Sequence, residues 1–135
     1  MQRSRETPGI RSTPKVLIAE DHEDSREALK ALLEAFGFEV VEAVNGKEAV
    51  EKATTEAPMI ILMDIMMPEM DGFEAIRRVR EAMASKNVHI IAVTAMDGAR
   101  NLALEAGAND YVKKPVDIRK LIGKLNAWAE SEARI

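Results

Sequence analysis

The chain has 135 residues, 47% of them hydrophobic, with 19 Lys and Arg against 23 Asp and Glu for a net charge of −4, and it has no cysteine. That is enough apolar chain for one domain with a packed core. Mild acidity without a basic block excludes direct nucleic-acid binding, and the lack of cysteine excludes disulfides and thiolate metal sites. No apolar run approaches the roughly 20 residues of a membrane helix and the N-terminus has no apolar signal core, so a cytoplasmic protein without a membrane partner is expected.

Residues 1–14, MQRSRETPGIRSTP, mix Arg, Ser, Thr, Pro and Gly without period and predict a flexible leader, leaving 15–131 for the folded domain. KVLIA, Lys15 to Ala19, predicts a strand. After it Ala28, Leu29, Leu32, Leu33 and Phe36 recur at helical spacing up to Gly37, which predicts an amphipathic helix. The same unit recurs four times. FEVVEA at 38–43 precedes a helix from about Lys47 to Ala57, ended by Pro58, and MIILM at 59–63 precedes one from about Phe73 to Ala84. VHIIAV at 88–93 precedes a short helix from about Gly98 to Glu105, with a modest apolar stripe at Leu102 and Ala106. DYVK at 110–113 precedes a helix carrying Ile118, Leu121, Ile122, Leu125 and Trp128.

Five strands alternating with five helices, the central strands almost wholly apolar, imply an α/β fold: a parallel sheet covered on both faces. Right-handed crossovers leave few topologies, and a doubly wound (βα)5 sheet of order 2-1-3-4-5 is the expected one for this length. Chemistry in such sheets gathers at the carboxyl ends of the strands. There the chain places Glu20 and Asp21 after strand one, Asp64 after strand three, Thr94 after strand four, and Lys114 with Pro115 after strand five.

Asp64 stands in the otherwise apolar MIILMDIMM, which demands a reason. Carboxylates crowded to 4 Å repel by about 4 kcal/mol per pair at an effective dielectric of 20, so a hard divalent cation is their natural partner. Oxygen ligands alone, few and on a rigid edge, suit Mg2+ with several waters kept. A phosphoryl group bound there would find a lysine and a hydroxyl for its remaining oxygens, with Asp64 as the nucleophile that becomes an aspartyl phosphate.

The acidic pair Glu20–Asp21, MDIMMPEMDG around Asp64, VTA at 93–95 and AGANDYVKKP ending at Pro115 follow one another in the order seen in the response-regulator receiver domain, the phosphoacceptor module of two-component signalling, which the chain resembles from Lys15 to about Glu130. The resemblance implies a flavodoxin-like fold, phosphorylation at Asp64, and Mg2+ held by Asp21, Asp64 and the Met66 carbonyl, with Glu20 holding a metal-bound water. It further implies that Lys114 and Thr94 meet the phosphoryl oxygens, that Thr94 and Tyr111 form the switch, Tyr111 turning inward on activation, and that the Lys114–Pro115 bond is cis. Glu20 departs from the Asp found in many members and lengthens that arm by one methylene.

As for partners, the resemblance implies a histidine kinase or histidine phosphotransfer protein upstream, and downstream a protein that reads the face of helix four, strand five and helix five. In receivers the side chains two positions after the phosphoacceptor and two after the hydroxyl flank the hydrolytic water; here they are Met66 and Met96, thioethers that hold water poorly. Slow self-dephosphorylation is expected.

Several residues have plainer readings. Asp71 before Gly72 reads as a helix cap, Asp21 is a lesser candidate for one, and Lys113 reads as a solvated lysine. His22 and His89 read as loop and strand-edge residues, Arg77, Arg78 and Arg80 as a solvated helix face, and the methionines from Met59 to Met70 as core and loop packing. Among rival functions, flavodoxin needs a Ser, Thr and Gly-rich phosphate loop where EDHED stands. A haloacid-dehalogenase-type phosphatase needs an acid where Met66 stands, and a phosphorylation-independent adaptor is usually marked by loss of the acidic pair, the phosphoacceptor or the lysine, all present here. The 135 residues contain no output domain, so a single-domain regulator or relay intermediate and a receiver cut from a longer regulator or hybrid kinase both stand as alternatives.

Overall fold

The computed structural model describes residues 13–83 and 87–133. Strands β1 (Lys15–Ala19), β2 (Glu39–Ala43), β3 (Ile60–Asp64), β4 (His89–Thr94) and β5 (Asp110–Lys113) alternate with helices α1 (Glu23–Ala35), α2 (Gly46–Glu56), α3 (Gly72–Ala82), α4 (Arg100–Ala106) and α5 (Ile118–Ala133). All four strand pairings are parallel, in the order β2-β1-β3-β4-β5. This is the expected doubly wound sheet. Alternation along the strands divides the core in two. Leu17, Ile61, Met63, Ile90 and Ala92 pack under α2, α3 and α4, while Val16, Ile18, Leu62, Ile91 and Val93 face α1 and α5.

Helix ends follow local chemistry. Asn45 and Asp71 cap α2 and α3 by accepting the backbone N–H groups of Glu48 (2.8 Å) and Glu74 (2.9 Å). The predicted bounds shift accordingly: α2 starts at Gly46 and α3 at Gly72, while residue 84, the expected end of α3, lies outside the described residues. Of the leader, residues 1–12 lie outside them too; Pro14 already belongs to the sheet edge, its carbonyl accepting the Glu39 N–H at 2.9 Å.

Two expectations need correction. Phe36 was expected on the buried stripe of α1 but is 55% exposed, and Ala28 is exposed as well. The helix ends at Ala35 in a Schellman turn, with Gly37 N–H on the Glu34 carbonyl and Phe38 N–H on the Leu33 carbonyl. That turn brings Phe38, not Phe36, into the core beside Leu33. The second concerns α4, which starts at Arg100 and not near Gly98, because Gly98 has φ +73, a left-handed conformation no α-helix admits. Its inward face is Ala103 and Ala106, and Leu102 is 52% exposed.

Candidate functional site

The register aligns the strand ends: Ala19 lies beside Ala43 and Met63, Asp64 beside Val93, and Thr94 beside Lys113. Glu20, Asp64, Thr94 and Lys114 therefore leave one edge of the sheet. The first three are buried, at 6, 6 and 0% exposure. Lys114 Nζ donates to Glu20 Oε1 at 2.8 Å and to Asp64 Oδ2 at 3.2 Å, so one ammonium bridges two carboxylates. The peptide bond between Lys114 and Pro115 is cis.

Asp64 is gripped from the other side as well. The Met66 backbone N–H donates to its Oδ1 at 3.1 Å, and the loop closes when Gly72 N–H reaches the Ile65 carbonyl at 2.8 Å. A Cβ on residue 72 would stand 2.5 Å from the Asp64 carbonyl oxygen and 2.5 Å from Ile65 Cα, so only glycine lets α3 start this close to the phosphoacceptor candidate.

The charges settle unequally. Burial, then the neighbouring Glu20 charge, pushes the Asp64 carboxyl above its ordinary value, against the pull of Lys114 and the Met66 N–H. Burial works on Glu20 in the same direction but is outweighed by Lys114 and by the His22 N–H on its Oε2, which hold it below the ordinary range. Lys114 also loses hydration, yet its two carboxylate partners outweigh that and raise its pKa.

Asp21 is the carboxylate left over. Its Oδ1 is buried with no hydrogen-bond partner, and it does not cap α1, whose N-cap is His22 without a side-chain bond. A buried carboxylate oxygen without a partner fits a cation, and one ligand atom each from Glu20, Asp21 and His22 lie within 4.8 Å of one another. His22 is itself exposed, its Nδ1 3.6 Å from Glu20 Oε2. Met66 and Met96 line, with Asp21, Met67, Pro68 and Phe73, a cavity of about 410 Å³. On the other flank a cleft of about 300 Å³ lies between Leu29 and Leu32 of α1 and Val116 and Ile118, with Glu20, Asp64 and Lys114 in its wall.

The switch residues form one chain of bonds. Thr94 Oγ1 accepts the Met96 N–H at 3.1 Å, and the Tyr111 hydroxyl donates to the Met96 carbonyl at 3.2 Å. Tyr111 is half-buried against the core, where the hydrogen bond to the loop and the apolar wall behind it hold it. Lys113 is exposed and pairs with Asp97 of the same loop.

Arg80 escaped the sequence reading. Instead of facing solvent with Arg77 and Arg78, its guanidinium donates to the Val88 carbonyl (2.8 Å), the Gly107 carbonyl (2.8 Å) and Asn109 Oδ1 (2.6 Å). A signal was available: Ile76, Arg80 and Met83 fall at i, i+4 and i+7, inside the buried stripe of α3.

Comparison with known proteins agrees with this geometry. The family model of the response regulator receiver domain matches residues 16–126. The chain belongs to that family. It is 36% identical over 115 residues to the protein PilH of Pseudomonas aeruginosa, covering 84% of this chain and 95% of PilH. Some relatives are much longer; the chain spans a quarter of the response regulator PleD of Caulobacter vibrioides. Among solved structures, the receiver domain of the sensor histidine kinase PA1611 from Pseudomonas aeruginosa, with magnesium coordinated in its active-site cleft, matches with a TM-score of 0.79 at 34% identity over 87% of this chain and 98% of that one. The receiver domain of Ssk1 from Saccharomyces cerevisiae, co-crystallised with the histidine phosphotransfer protein Ypd1, matches with a TM-score of 0.84 at 29% identity over 90% and 92%. Receiver domains of this family work with histidine kinases or phosphotransfer proteins in signal transduction. Among the described residues no helix is long and apolar enough to cross a membrane.

Proposed function

We propose that this receiver domain is a cytoplasmic phosphorylation-controlled switch in which Asp64 takes the phosphoryl group from a phosphohistidine on a histidine kinase or phosphotransfer protein. An Asp64 oxygen forms a bond to phosphorus as the phosphorus–nitrogen bond of the donor breaks, and the chain's own groups catalyse the exchange. The observation that carries this reading is the Asp64 carboxylate, buried at a strand end and fixed from both sides by the Met66 N–H and Lys114 Nζ. Asp21, Asp64 and the Met66 carbonyl would hold Mg2+, with Glu20 holding one of its waters, and the orphaned Asp21 oxygen supports that set. Bound Mg2+ would offset the negative charge that gathers between carboxylates and phosphoryl oxygens.

Lys114 is already at the edge of the site and pairs with the incoming oxygens by exchanging one carboxylate for another. Thr94 supplies the signal. Turning its hydroxyl toward the phosphoryl group ends its bond to the Met96 N–H, and the Met96 carbonyl is what the Tyr111 hydroxyl holds. Phosphorylation therefore acts on the β4–α4 loop and on the face of α4, β5 and α5, where exposed Leu102 offers a partner an apolar contact. Met66 and Met96 leave the hydrolytic water without a firm partner, which favours a long-lived phosphoryl group.

Acetyl phosphate with Mg2+ tests the reading directly. Intact-mass measurement is expected to show one added phosphoryl group on the parent, none on Asp64→Asn, and none when a chelator is present. Equal labelling of Asp64→Asn would sink the assignment, and a parent that never labels would leave the adaptor reading in its place.

A further inference from the structure

The methionines of the described residues differ sharply in access. Met63, Met67 and Met83 are buried, at 0, 8 and 7% exposure, and Met59, Met70 and Met96 are half-buried. Met66, at 59%, is the exposed one among them. It is also the residue whose backbone N–H holds Asp64 Oδ1, and it lines the cavity it shares with Asp21 and Met96. Among the described residues, the most accessible thioether thus belongs to the residue whose backbone N–H holds the phosphoacceptor carboxylate.

We propose that Met66 is a peroxide-sensitive modification site whose oxidation to the sulfoxide shortens the lifetime of the phosphoryl group on Asp64; the second half rests on the function proposed above. The sulfur lone pair attacks one oxygen of hydrogen peroxide, the oxygen–oxygen bond breaks as the sulfur–oxygen bond forms, and the departing hydroxide takes the remaining proton to leave as water. Sulfur loses two electrons and peroxide gains them.

The product changes what Met66 can do at that position. A thioether is a weak acceptor and holds water poorly, whereas a sulfoxide oxygen is a strong, polar acceptor on the same flexible stem. From the wall of the cavity it can hold a water by one hydrogen and leave the water's oxygen free to approach phosphorus. Attack by that water breaks the bond between phosphorus and the Asp64 oxygen, the water's proton leaves with inorganic phosphate, and Asp64 returns as a carboxylate. Buried Met63 on β3, only three residues away, provides an internal standard for access.

The experiment treats the whole chain with graded hydrogen peroxide, maps added oxygen by peptide mass spectrometry, and follows loss of phosphate after acetyl phosphate is removed with Mg2+ present. Met66 is expected to oxidise first and Met63 last, and the oxidised parent to lose phosphate severalfold faster, with methionine sulfoxide reductase restoring the slow decay. Met66→Leu is expected to show a decay that peroxide does not change, and Met66→Gln, whose amide oxygen imitates the sulfoxide, a fast decay without peroxide. Trp128 fluorescence, read in each sample, reports that the fold has stayed intact. If Met66 oxidises no faster than Met63, there is no selective site. If Met66 oxidises and the decay is unchanged, or Met66→Leu responds as the parent does, the regulation is wrong. Absence of any label on the reduced parent overturns the phosphoacceptor reading and this inference together, so the two failures are told apart before peroxide is added.

Discussion

The two ends of the sheet handle charge in opposite ways. At the amino ends, charged side chains find partners within the chain: Lys15 meets Glu39 (3.9 Å) and Glu56 (3.4 Å), Lys124 meets Asp110 (2.7 Å), and Arg80 gives its fork to two carbonyls and an amide oxygen. At the carboxyl ends two acids, Glu20 and Asp64, share one lysine, and a buried oxygen of Asp21 has no partner. Paired charge holds a fold together; crowded and orphaned charge stores a binding capacity that the fold must tolerate. The same sheet therefore has a structural end and a working end.

The strongest way to break that contrast is at Arg80. Arg80→Ala removes three hydrogen bonds that tie α3 to the start of β4 and to the turn after α4, and leaves the Val88 and Gly107 carbonyls without that donor. A loss of about 2–3 kcal/mol is expected, which for a domain of this size is roughly 10 °C in Tm. Arg78→Ala, which breaks only an exposed pair with Glu74, is expected to stay within about 0.5 kcal/mol. Thermal melts of both variants check this: a comparable loss in Arg78→Ala would show that the amino end owes nothing special to Arg80's pairing.

What could be read from the sequence tracks the same division. Element order and sheet topology were legible because apolar period and turn residues are local signals, and the strand-end positions of Glu20, Asp64, Thr94 and Lys114 follow from topology alone. Three features were not legible, each for a nonlocal reason. Arg80 looked solvated because its acceptors lie 8, 27 and 29 residues away in sequence. Phe36 looked buried because periodicity cannot see that a Schellman turn hands its place to Phe38. The bond between Tyr111 and Met96 depends on how a loop after β4 folds over β5, which no spacing encodes.

Acid titration sharpens the contrast, because Asp110 at the amino end and Asp64 at the carboxyl end carry shifts of opposite sign. Burial works to raise Asp110, but Lys124 and the Tyr111 N–H outweigh it and hold the carboxyl below its ordinary 3.8. Its ionised form thus stabilises the fold above that value, and the contribution is lost as pH falls through the lower folded value. Asp64 is raised above its ordinary 3.8, so charging it costs stability above the raised value, and that cost is relieved as pH falls through it. In chelator, Asp110→Asn is expected to lower Tm at pH 7 and Asp64→Asn to raise it, with both differences shrinking toward acid. Melts across that range decide it; two variants shifting Tm in the same direction at pH 7 would erase the distinction between the ends.

The smallest effect belongs to Asp21, and its smallness is the point. Asp21→Asn removes one negative charge from a site that already holds Glu20 and Asp64 and breaks no hydrogen bond to Oδ1, because that oxygen has none. An amide of the same shape relieves repulsion, so the metal-free protein is expected to melt at the parent's temperature or slightly above, a change within about 1 kcal/mol. The same exchange takes away a ligand with formal charge, so Mg2+ should bind more weakly and the rise in Tm on adding Mg2+ should shrink, since a ligand stabilises only in proportion to the logarithm of its concentration over its dissociation constant. Paired melts with chelator and with Mg2+ read both quantities on one sample. A clear drop in the metal-free Tm would make Asp21 a structural residue like those at the amino end. An unchanged response to Mg2+ would move the cation elsewhere. A parent-like metal-free melt with a weakened Mg2+ response is the one combination in which this carboxylate serves the ligand and not the fold.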